Sequence, residues 1–561
     1  MLEKIKRPLA VGLALFMGSL VIRLGLFLLF PHPAYPDSFY YEAVARSLAS
    51  GHGFSVNYLW NFIEVGSKIP LDPSLPIASN AHWMPLASII QVPFIWLLGD
   101  TDFASALPFM LLGAGLAPFT YFLARDLGSA ALRNAGWGPL LAGILMIGGG
   151  FMTIYFSQTD NFALYALLVG GVLWMFGRLL VGKPGLVLAG RSFGNKAVMI
   201  AAGILTGLAF LSRNDGIILP LAIGGLWFFE LVNHRFFKTP RHLTFGQLFL
   251  YGLVSLVVVV PWLVRQEIVF ASLSPSAASG RILWIRYSSE MFSADGPLNI
   301  NYLLSWGWGN LFNSRLDALN SVGILILGQL LWVFMFPLTL SGLRAALPRR
   351  ELRAFWLWLA LFIAWSVVLA APHLLSGNFI HSAVTALPWF LVIGVEGLIV
   401  ISAYLHRHWP RFSLAGTRNK LVFTTLVSAI FMSGIAVVSI DNTWASYRDL
   451  HQQAVSAIVS HGGEGQTVMC ADPGLIWSLD PAEPGIQLPT SNLTVIGQAI
   501  KAYHVRWLIL ERQHIVPSMV PVLTGQTVPN WLGPPILIIP QVDNPTSQEP
   551  ELVVYQISDI P

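Results

Sequence analysis

Long apolar runs limit what this chain can fold into more than any other feature of its sequence. A helix needs about 20 consecutive apolar residues to cross a bilayer, and eleven runs of roughly that length are present. Charged residues make up only 11% of the 561 positions, whereas a soluble domain has about 25%. The sequence therefore predicts a mainly α-helical, polytopic membrane protein with about 11 transmembrane helices. The runs are 8–30, 103–124, 136–156, 161–181, 197–212, 215–232, 245–265, 322–345, 354–371, 382–405 and 421–440.

Basic residues between these runs predict the orientation of the chain. Loops that stay in the cytoplasm keep an excess of Lys and Arg. All the basic clusters fall on one side of the membrane if the apolar stretch 82–99, which contains Pro85 and Pro93, does not cross it. We therefore expect 82–99 to be a juxtamembrane or re-entrant element on the outer face of the plasma membrane, with the N-terminus in the cytoplasm. The clusters are 4–7, 125–133, 183–196, 235–241, 344–353 and 407–420.

These patterns divide the chain into two predicted domains. Residues 1–440 form a transmembrane domain with two large outer loops, 31–102, which carries juxtamembrane helices, and 266–321. Run 8–30 is longer than the apolar part of a signal peptide and lacks a following cleavage motif, so we expect an uncleaved first helix. Residues 441–561 are predicted to be a small extracytoplasmic α/β domain, because strand-like runs alternate there with a helix. The strands are expected at 467–471, 507–510 and 552–557, and the helix at 493–503.

Charge and cysteine content exclude several other classes of protein. The net charge is +4, and the basic residues lie between apolar runs rather than on one face, so no nucleic-acid partner is expected. Cys470 is the single cysteine. An intramolecular disulfide and a cysteine-based zinc site are therefore excluded.

Two aspartates at the expected outer edge have two interpretations each. Ionisable residues near lipid are costly and often functional. Asp37 begins a short amphipathic helix that ends before Gly51, and could be the N-cap of that helix or a general base. Asp160 lies at an outer turn, and could cap the helix 161–181 or contact a substrate.

Three further polar residues interrupt apolar sequence at the same edge. Arg213 and Asp215 could form an ion pair in a tight turn, which contributes little if it is exposed. Alternatively, the planar guanidinium of Arg213 suits a lipid phosphate. His82, beside Trp83, could anchor the chain at the lipid interface or contact a substrate or a metal.

Other candidates lie in the two outer loops and in one outer turn. Asp100 and Asp102 have the D-x-D spacing of a metal site, but acidic residues also suit the start of a helix. Arg281 and Arg286 lie among aromatic residues, where they could bind an anionic head group or belong to the interfacial belt. Two histidines in the outer turn 372–381 are ambiguous in the same way: His373 and His381.

The order of these motifs resembles that of a known enzyme family. Asp37, Tyr41 and Ala45 follow the spacing D-x-x-x-Y-x-x-x-A, and they are followed by the motifs at 82–85, 158–161 and 207–216. This arrangement resembles the polyprenyl-phosphate-sugar-dependent glycosyltransferases of the GT-C superfamily, in the branch of the protein O-mannosyltransferases and aminoarabinose transferases. The resemblance covers the first 230 residues in its motifs, and the rest in helix number and layout.

The resemblance implies a GT-C-like fold and an inverting transfer of a hexose or pentose in cell-envelope glycosylation. The donor would be a polyprenyl-phosphate-linked sugar, and the acceptor a glycolipid, glycan or protein on the outer face. Asp37 would deprotonate or position the acceptor, although Ser38 stands where the mannosyltransferases have a second acid, which disfavours a protein hydroxyl. No cofactor follows with certainty, and a divalent metal stays an open alternative. The predicted substrate-binding residues are Tyr41, His82, Asp160, Arg213, Asp215, Arg281 and Arg286.

Two other classes of function compete with this interpretation. A transporter or lipid flippase usually has paired repeats and polar residues at mid-membrane. Here the apolar runs carry few polar residues, with Arg23 and Glu396 as exceptions near helix ends, so the transferase is favoured. A non-catalytic scaffold that displays the C-terminal domain is the third class.

Overall fold

The computed structural model describes residues 2–188, 191–238, 240–374, 379–411, 413–480, 483–541 and 549–558. Most of them are helical. The helices are α1 Leu2–Leu29, α2 Pro36–Ala49, α3 Leu86–Ile89, α4 Val92–Leu98, α5 Asp102–Leu127, α6 Ala130–Asn134, α7 Gly138–Gly148, α8 Phe162–Leu179, α9 Asn195–Ser212, α10 Ile218–Phe237, α11 Phe245–Phe270, α12 Pro275–Ala278, α13 Ile300–Leu304, α14 Trp308–Leu325, α15 Met335–Ala346, α16 Arg353–Ala364, α17 Phe379–Ala383, α18 Leu387–His408, α19 Leu414–Ser460, α20 Gly474–Leu479, α21 Leu493–Ala502 and α22 Val520–Leu523.

Short strands complete the fold. They are β1 Ser55–Val56, β2 Tyr58–Leu59, β3 Ile77–Ala78, β4 Leu186–Leu188, β5 Arg191–Phe193, β6 Val468–Cys470, β7 Gly485–Gln487, β8 Trp507–Glu511, β9 Leu532–Pro540 and β10 Pro550–Ile557.

The number of membrane helices agrees with the sequence prediction. Among the described residues, 9 helices are long and apolar enough to cross a bilayer, and the number rises to 11 if two bent pairs each count as one span. One pair joins Gly138–Gly148 to Gly150–Ser157 at 48°, and the other joins Trp308–Leu330 to Met335–Ala346 at 106°. The apolar helix pair Leu86–Leu98 is shorter than these spans, as expected for an element that does not cross.

The described chain forms two compact units, and the first contains residues Met1–Pro31, Ala106–Trp262 and Ser314–Ile440. Glycines allow two of its helices, α15 and α18, to approach closely. A Cβ atom at Gly397 would lie 1.8 Å from the carbonyl oxygen of Leu338, and one at Gly342 would lie 2.1 Å from that of Ile393. Small residues at helix contacts are the usual route to tight packing in a membrane, where apolar side chains gain little by leaving lipid.

A break in one span of this unit accounts for the buried Arg23. The helix is interrupted at Gly149 and Gly150, which have φ angles of 61° and 56°. Arg23 has no exposed surface, and its guanidinium donates to the carbonyl oxygens of Thr153 at 2.7 Å and Ile147 at 2.9 Å. Backbone groups released at a break need such partners within a membrane. Arg23 therefore has a structural role.

The second unit contains residues His32–Ser105, Leu263–Asn313 and Asp441–Pro561. Its centre is a six-stranded sheet in the order β2-β7-β6-β8-β10-β9. The four strands from β2 to β8 run parallel, and β10 pairs antiparallel with both β8 and β9. The edge strand β2 comes from the segment 31–102, so this sheet is not built from 441–561 alone.

The predicted strands of the C-terminal segment are present as β6, β8 and β10, and the predicted helix is α21. The sequence interpretation missed β7 and β9, which flank them in the sheet. The core on this sheet includes Trp507, Ile509 and Val554, all of them buried.

Candidate active site

The start of helix α2 decides between the two interpretations of Asp37. Tyr35 is the N-cap, Pro36 is the first helical residue, and Asp37 lies in the first turn. The Oγ of Ser38, in the same turn, accepts the backbone N–H groups of Ala34 at 3.0 Å and of the N-cap residue Tyr35 at 3.1 Å. The interpretation of Asp37 as an N-cap is therefore wrong.

The carboxylate of Asp37 is held by an indole group within the same unit. Trp83 Nε1 donates to Asp37 Oδ1 at 2.5 Å. The indole ring is itself packed by Tyr40, with ring centroids 4.6 Å apart, and by Trp60, at 5.8 Å. Asp37 is partly exposed. The arrangement gives a carboxylate that is oriented by the indole of Trp83 and reachable from solvent, as a general base requires.

The buried carboxyl group of Glu64 contacts Tyr40, one of the aromatic residues that pack on Trp83. Tyr40 Oη donates to Glu64 Oε1, and the backbone N–H of Asn80 lies 3.0 Å from the same oxygen. Burial raises the pKa of Glu64 to about 7, although the hydrogen bonds from Tyr40 and Asn80 oppose this rise. The sequence interpretation missed Glu64, because nothing in its local pattern distinguishes it from a solvated acid.

Two other predicted residues of this unit have defined partners. His82 Nδ1 lies 2.8 Å from Ser276 Oγ, and the imidazole packs edge-on against Trp83. Tyr41 is only 2% exposed, and its carbonyl oxygen accepts the hydroxyl of Ser88 at 2.9 Å. Substrate contact by His82 and Tyr41 stays a prediction.

The two predicted arginines of the segment 266–321 stabilise that segment. Arg281 is fully buried, and its Nη2 donates to the carbonyl oxygen of Ser293 at 3.3 Å. The guanidinium of Arg286 lies 3.9 Å from the ring centroid of Tyr302 and donates to Ser305 Oγ at 2.6 Å. Their proposed contact with an anionic head group stays a prediction.

The D-x-D pair forms ion pairs with basic side chains. Arg46 lies 3.2 Å from Asp100 and 2.7 Å from Asp102, and His32 Nδ1 lies 2.8 Å from Asp102. Arg46 also lies 2.8 Å from the fully buried carboxylate of Glu42. A guanidinium between the two aspartates occupies the position that a cation would need. This donor set therefore does not fit a metal site.

In the first unit, Asp160 is buried and pairs with a histidine. Asn161, rather than Asp160, is the N-cap of α8, so the capping interpretation of Asp160 is wrong. Asp160 Oδ2 lies 2.9 Å from His381 Nε2, and the imidazole stacks on Phe162 with ring centroids 4.1 Å apart. His381 is thereby held in one orientation by a carboxylate and by an aromatic ring.

Arg213 and Asp215 meet the residue that follows His381. Arg213 Nε lies 3.3 Å from Asp215 Oδ1 and 2.9 Å from Ser382 Oγ, and Ser382 Oγ donates to Asp215 Oδ2 at 2.5 Å. The ion pair expected for a tight turn is present, but it is largely buried, with side-chain exposures of 13% and 7%.

One short helix, α17, thus joins three of the predicted site residues of this unit. It carries both His381 and Ser382, which contact Asp160 and the Arg213–Asp215 pair, respectively. No local pattern in the sequence distinguishes Ser382, and His381 was a candidate only because of its position in the turn 372–381. The side chain of His373 and residues 375–378 of that turn lie outside the described part of the chain.

Comparison with known proteins finds matches of structure and none of sequence family. No protein-family model matches the chain, and no curated protein matches it. ArnT from Cupriavidus metallidurans in the apo state matches with a TM-score of 0.55 and 14% identity, over 98% of this chain and 98% of ArnT. ArnT bound to undecaprenyl phosphate gives 0.54 and 14% over the same shares.

A second protein has a related structure. The Archaeoglobus fulgidus oligosaccharyltransferase, in complex with Zn and sulfate, matches with a TM-score of 0.51 and 14% identity, over 91% of this chain and 68% of that protein. At these identities the likeness establishes the fold. It confirms a mainly helical membrane fold, similar to that of ArnT, with a C-terminal strand-containing region.

Proposed function

We propose that this chain is a membrane glycosyltransferase that moves a sugar from a polyprenyl-phosphate donor to an acceptor on the outer face of the membrane, with inversion. The observation that carries the proposal is the Asp37 carboxylate, which is oriented by Trp83 and lies in the first turn of α2, beyond the N-cap residue Tyr35. The fold supports it, since ArnT, an aminoarabinose transferase, matches over almost the whole of both chains.

Asp37 takes the role of general base in the proposed reaction. A nucleophilic atom of the acceptor attacks the anomeric carbon from the face opposite the phosphate, and Asp37 accepts the proton that this atom loses. The bond between the anomeric carbon and the phosphate oxygen breaks, and its electrons leave with the polyprenyl phosphate. A phosphate leaving group needs little acid assistance, so activating and positioning the acceptor are the main tasks of the protein.

Arg213 is the proposed ligand of the donor phosphate. One solved structure of ArnT holds undecaprenyl phosphate, which supports a lipid phosphate as part of the donor. The guanidinium of Arg213 is oriented at Nε by Asp215 and Ser382. A planar donor group that is fixed in this way suits a phosphate better than a mobile ammonium group does.

We propose the orientation that the basic clusters indicate, with the N-terminus in the cytoplasm and the segments 31–102, 266–321 and 441–561 outside. Alkaline phosphatase, which is active only outside the cytoplasm, should be active when it is fused after Ile440. An inactive fusion at this point, with an active one after Lys238, would contradict this orientation.

The transporter and scaffold interpretations are less well supported. The buried Arg23 satisfies the carbonyl groups of a helix break, which removes one reason to propose a translocation path. A scaffold would not need the Asp37 carboxylate. The proposed sugar transfer, by contrast, requires that carboxylate.

The proposal is tested by mass spectrometry of membrane glycolipids and glycoproteins from cells that lack the chain. We expect a sugar-modified species to be absent from these cells, and restored by the wild-type chain and by Asp72→Asn, which changes an exposed aspartate of the same unit. Asp37→Asn, expressed at the same level, should not restore it. Identical spectra from cells with and without the chain would overturn the proposal.

A further inference from the structure

Three buried ligand-type side chains lie together in the C-terminal part of the second unit. His451 is on α19, Asp472 follows β6, and Glu511 is the last residue of β8. They are 4%, 8% and 2% exposed. One nitrogen or oxygen atom from each lies within 4.8 Å of the other two. None of the three belongs to the candidate active site.

Two of these side chains are within ion-pair distance of each other, but their atoms are not aligned as a hydrogen bond. His451 Nε2 lies 3.2 Å from Glu511 Oε1, yet both atoms are buried and have no hydrogen-bond partner among the described residues. Buried polar atoms that lack an aligned hydrogen bond are rare in folded proteins and call for an explanation. Two ligand atoms bound to one zinc ion at about 2.0–2.1 Å and a tetrahedral angle are about 3.3 Å apart. The observed separation therefore fits two ligands that share a cation.

Both carboxylates are oriented by a second contact. Asp472 Oδ1 accepts the backbone N–H of Gly474 at 2.8 Å. Glu511 Oε2 lies 3.1 Å from Nδ1 of His514. In metal sites, contacts of this kind hold the ligands in place and adjust their affinity for the ion. The imidazole of His514 is 39% exposed, which gives solvent a route to the edge of the group.

We propose that His451, Asp472 and Glu511 bind a divalent transition-metal cation of the zinc class. The imidazole decides the kind of cation, since nitrogen ligands suit Zn²⁺ and related ions, whereas Mg²⁺ and Ca²⁺ prefer oxygen ligands alone. The cation links the last turns of α19 to the ends of β6 and β8, and so stabilises the domain. This site is independent of the proposed transferase reaction.

An ion pair between a protonated His451 and Glu511 is the competing explanation, and metal analysis separates the two. The full chain is purified in detergent, its affinity tag is removed, and it is treated with EDTA, supplied with Zn²⁺ and desalted. We expect inductively coupled plasma mass spectrometry to find about one equivalent of Zn²⁺ per chain. We also expect a visible absorption band when Co²⁺ replaces Zn²⁺. Added Zn²⁺ should also raise the melting temperature.

Variants identify the ligands. His451→Gln and Glu511→Gln should each retain less than a tenth of the wild-type zinc, whereas His461→Gln, which changes an exposed histidine just beyond the same helix, should retain all of it. His514→Gln should weaken zinc binding by about 10- to 100-fold, as expected for a residue that orients a ligand.

Two results would overturn the site. The first is a wild-type chain that retains no Zn²⁺ and shows no Co²⁺ absorption, a result that does not depend on whether any variant folds. The second is a zinc content in folded His451→Gln and Glu511→Gln equal to that of the wild type.

Discussion

Replacing Asp37 by asparagine separates a base from a structural acid, and the structure sets the size of both effects. Tyr35 is the N-cap of α2, so Asp37→Asn leaves the N-cap residue unchanged. The variant loses the favourable charge in the first helical turn, about 0.3–1 kcal/mol, and exchanges a charge-assisted hydrogen bond from Trp83 for a neutral one, about 1 kcal/mol. The free energy of unfolding should therefore fall by no more than about 2 kcal/mol.

The effect of Asp37→Asn on the reaction should be larger, because an amide does not accept the proton that a general base must take. Loss of acid–base assistance typically lowers turnover by about 10²–10⁴-fold, which corresponds to about 3–5 kcal/mol. The assay is turnover by the purified full chain in lipid nanodiscs, with the donor and acceptor that the mass spectra identify, alongside a melting curve.

Two further variants complete the experiment. Asp72→Asn should leave turnover and melting unchanged. Trp83→Phe keeps the aromatic packing but removes the donor to Asp37, so it should lower turnover less than Asp37→Asn does. Wild-type turnover in Asp37→Asn would refute the assignment of Asp37 as the base.

Three other predictions concern binding, pH dependence and packing. Arg213→Ala should raise the KM for the donor by at least ~10-fold, and Arg213→Lys should recover only part of this loss; unchanged donor kinetics would remove Arg213 from the site. Burial raises the pKa of Glu64 from an ordinary value of 4.5 to about 7. Between these two pH values the folded state binds a proton that the unfolded state has lost. The free energy of unfolding should therefore fall by up to about 3 kcal/mol as the pH rises through this window. Melting curves from pH 5 to 8 should show a slope in the wild type that is absent in Glu64→Gln, and equal slopes would contradict the assignment. Gly397→Ala places a Cβ against the carbonyl of Leu338 and should cost about 1–3 kcal/mol or more, seen as a loss of the folded peak in size-exclusion chromatography, whereas Gly434→Ala, with nothing within 4 Å of its Cβ, should be tolerated.

The candidate site was predictable in part. Asp37, Asp160 and Arg213 could be selected because a polar group that interrupts an apolar run is a local signal. The capping interpretations of both aspartates failed because the neighbouring residues Tyr35 and Asn161 take the N-cap positions. The choice between adjacent residues at a helix start depends on where the chain enters the helix, which the sequence does not state.

The membrane helices were determined by the sequence itself. The length of an apolar run and the charges beside it are local properties, and they suffice to place a helix in a bilayer. The partners of the polar groups were decided only by the tertiary structure. Trp83 lies 46 residues from Asp37, and His381 lies 221 residues from Asp160. Contacts across such separations form only when helices and strands pack. The two-residue strand β2 pairs with β7, more than 400 residues further along the chain. Its sequence is too short to predict a strand without that partner.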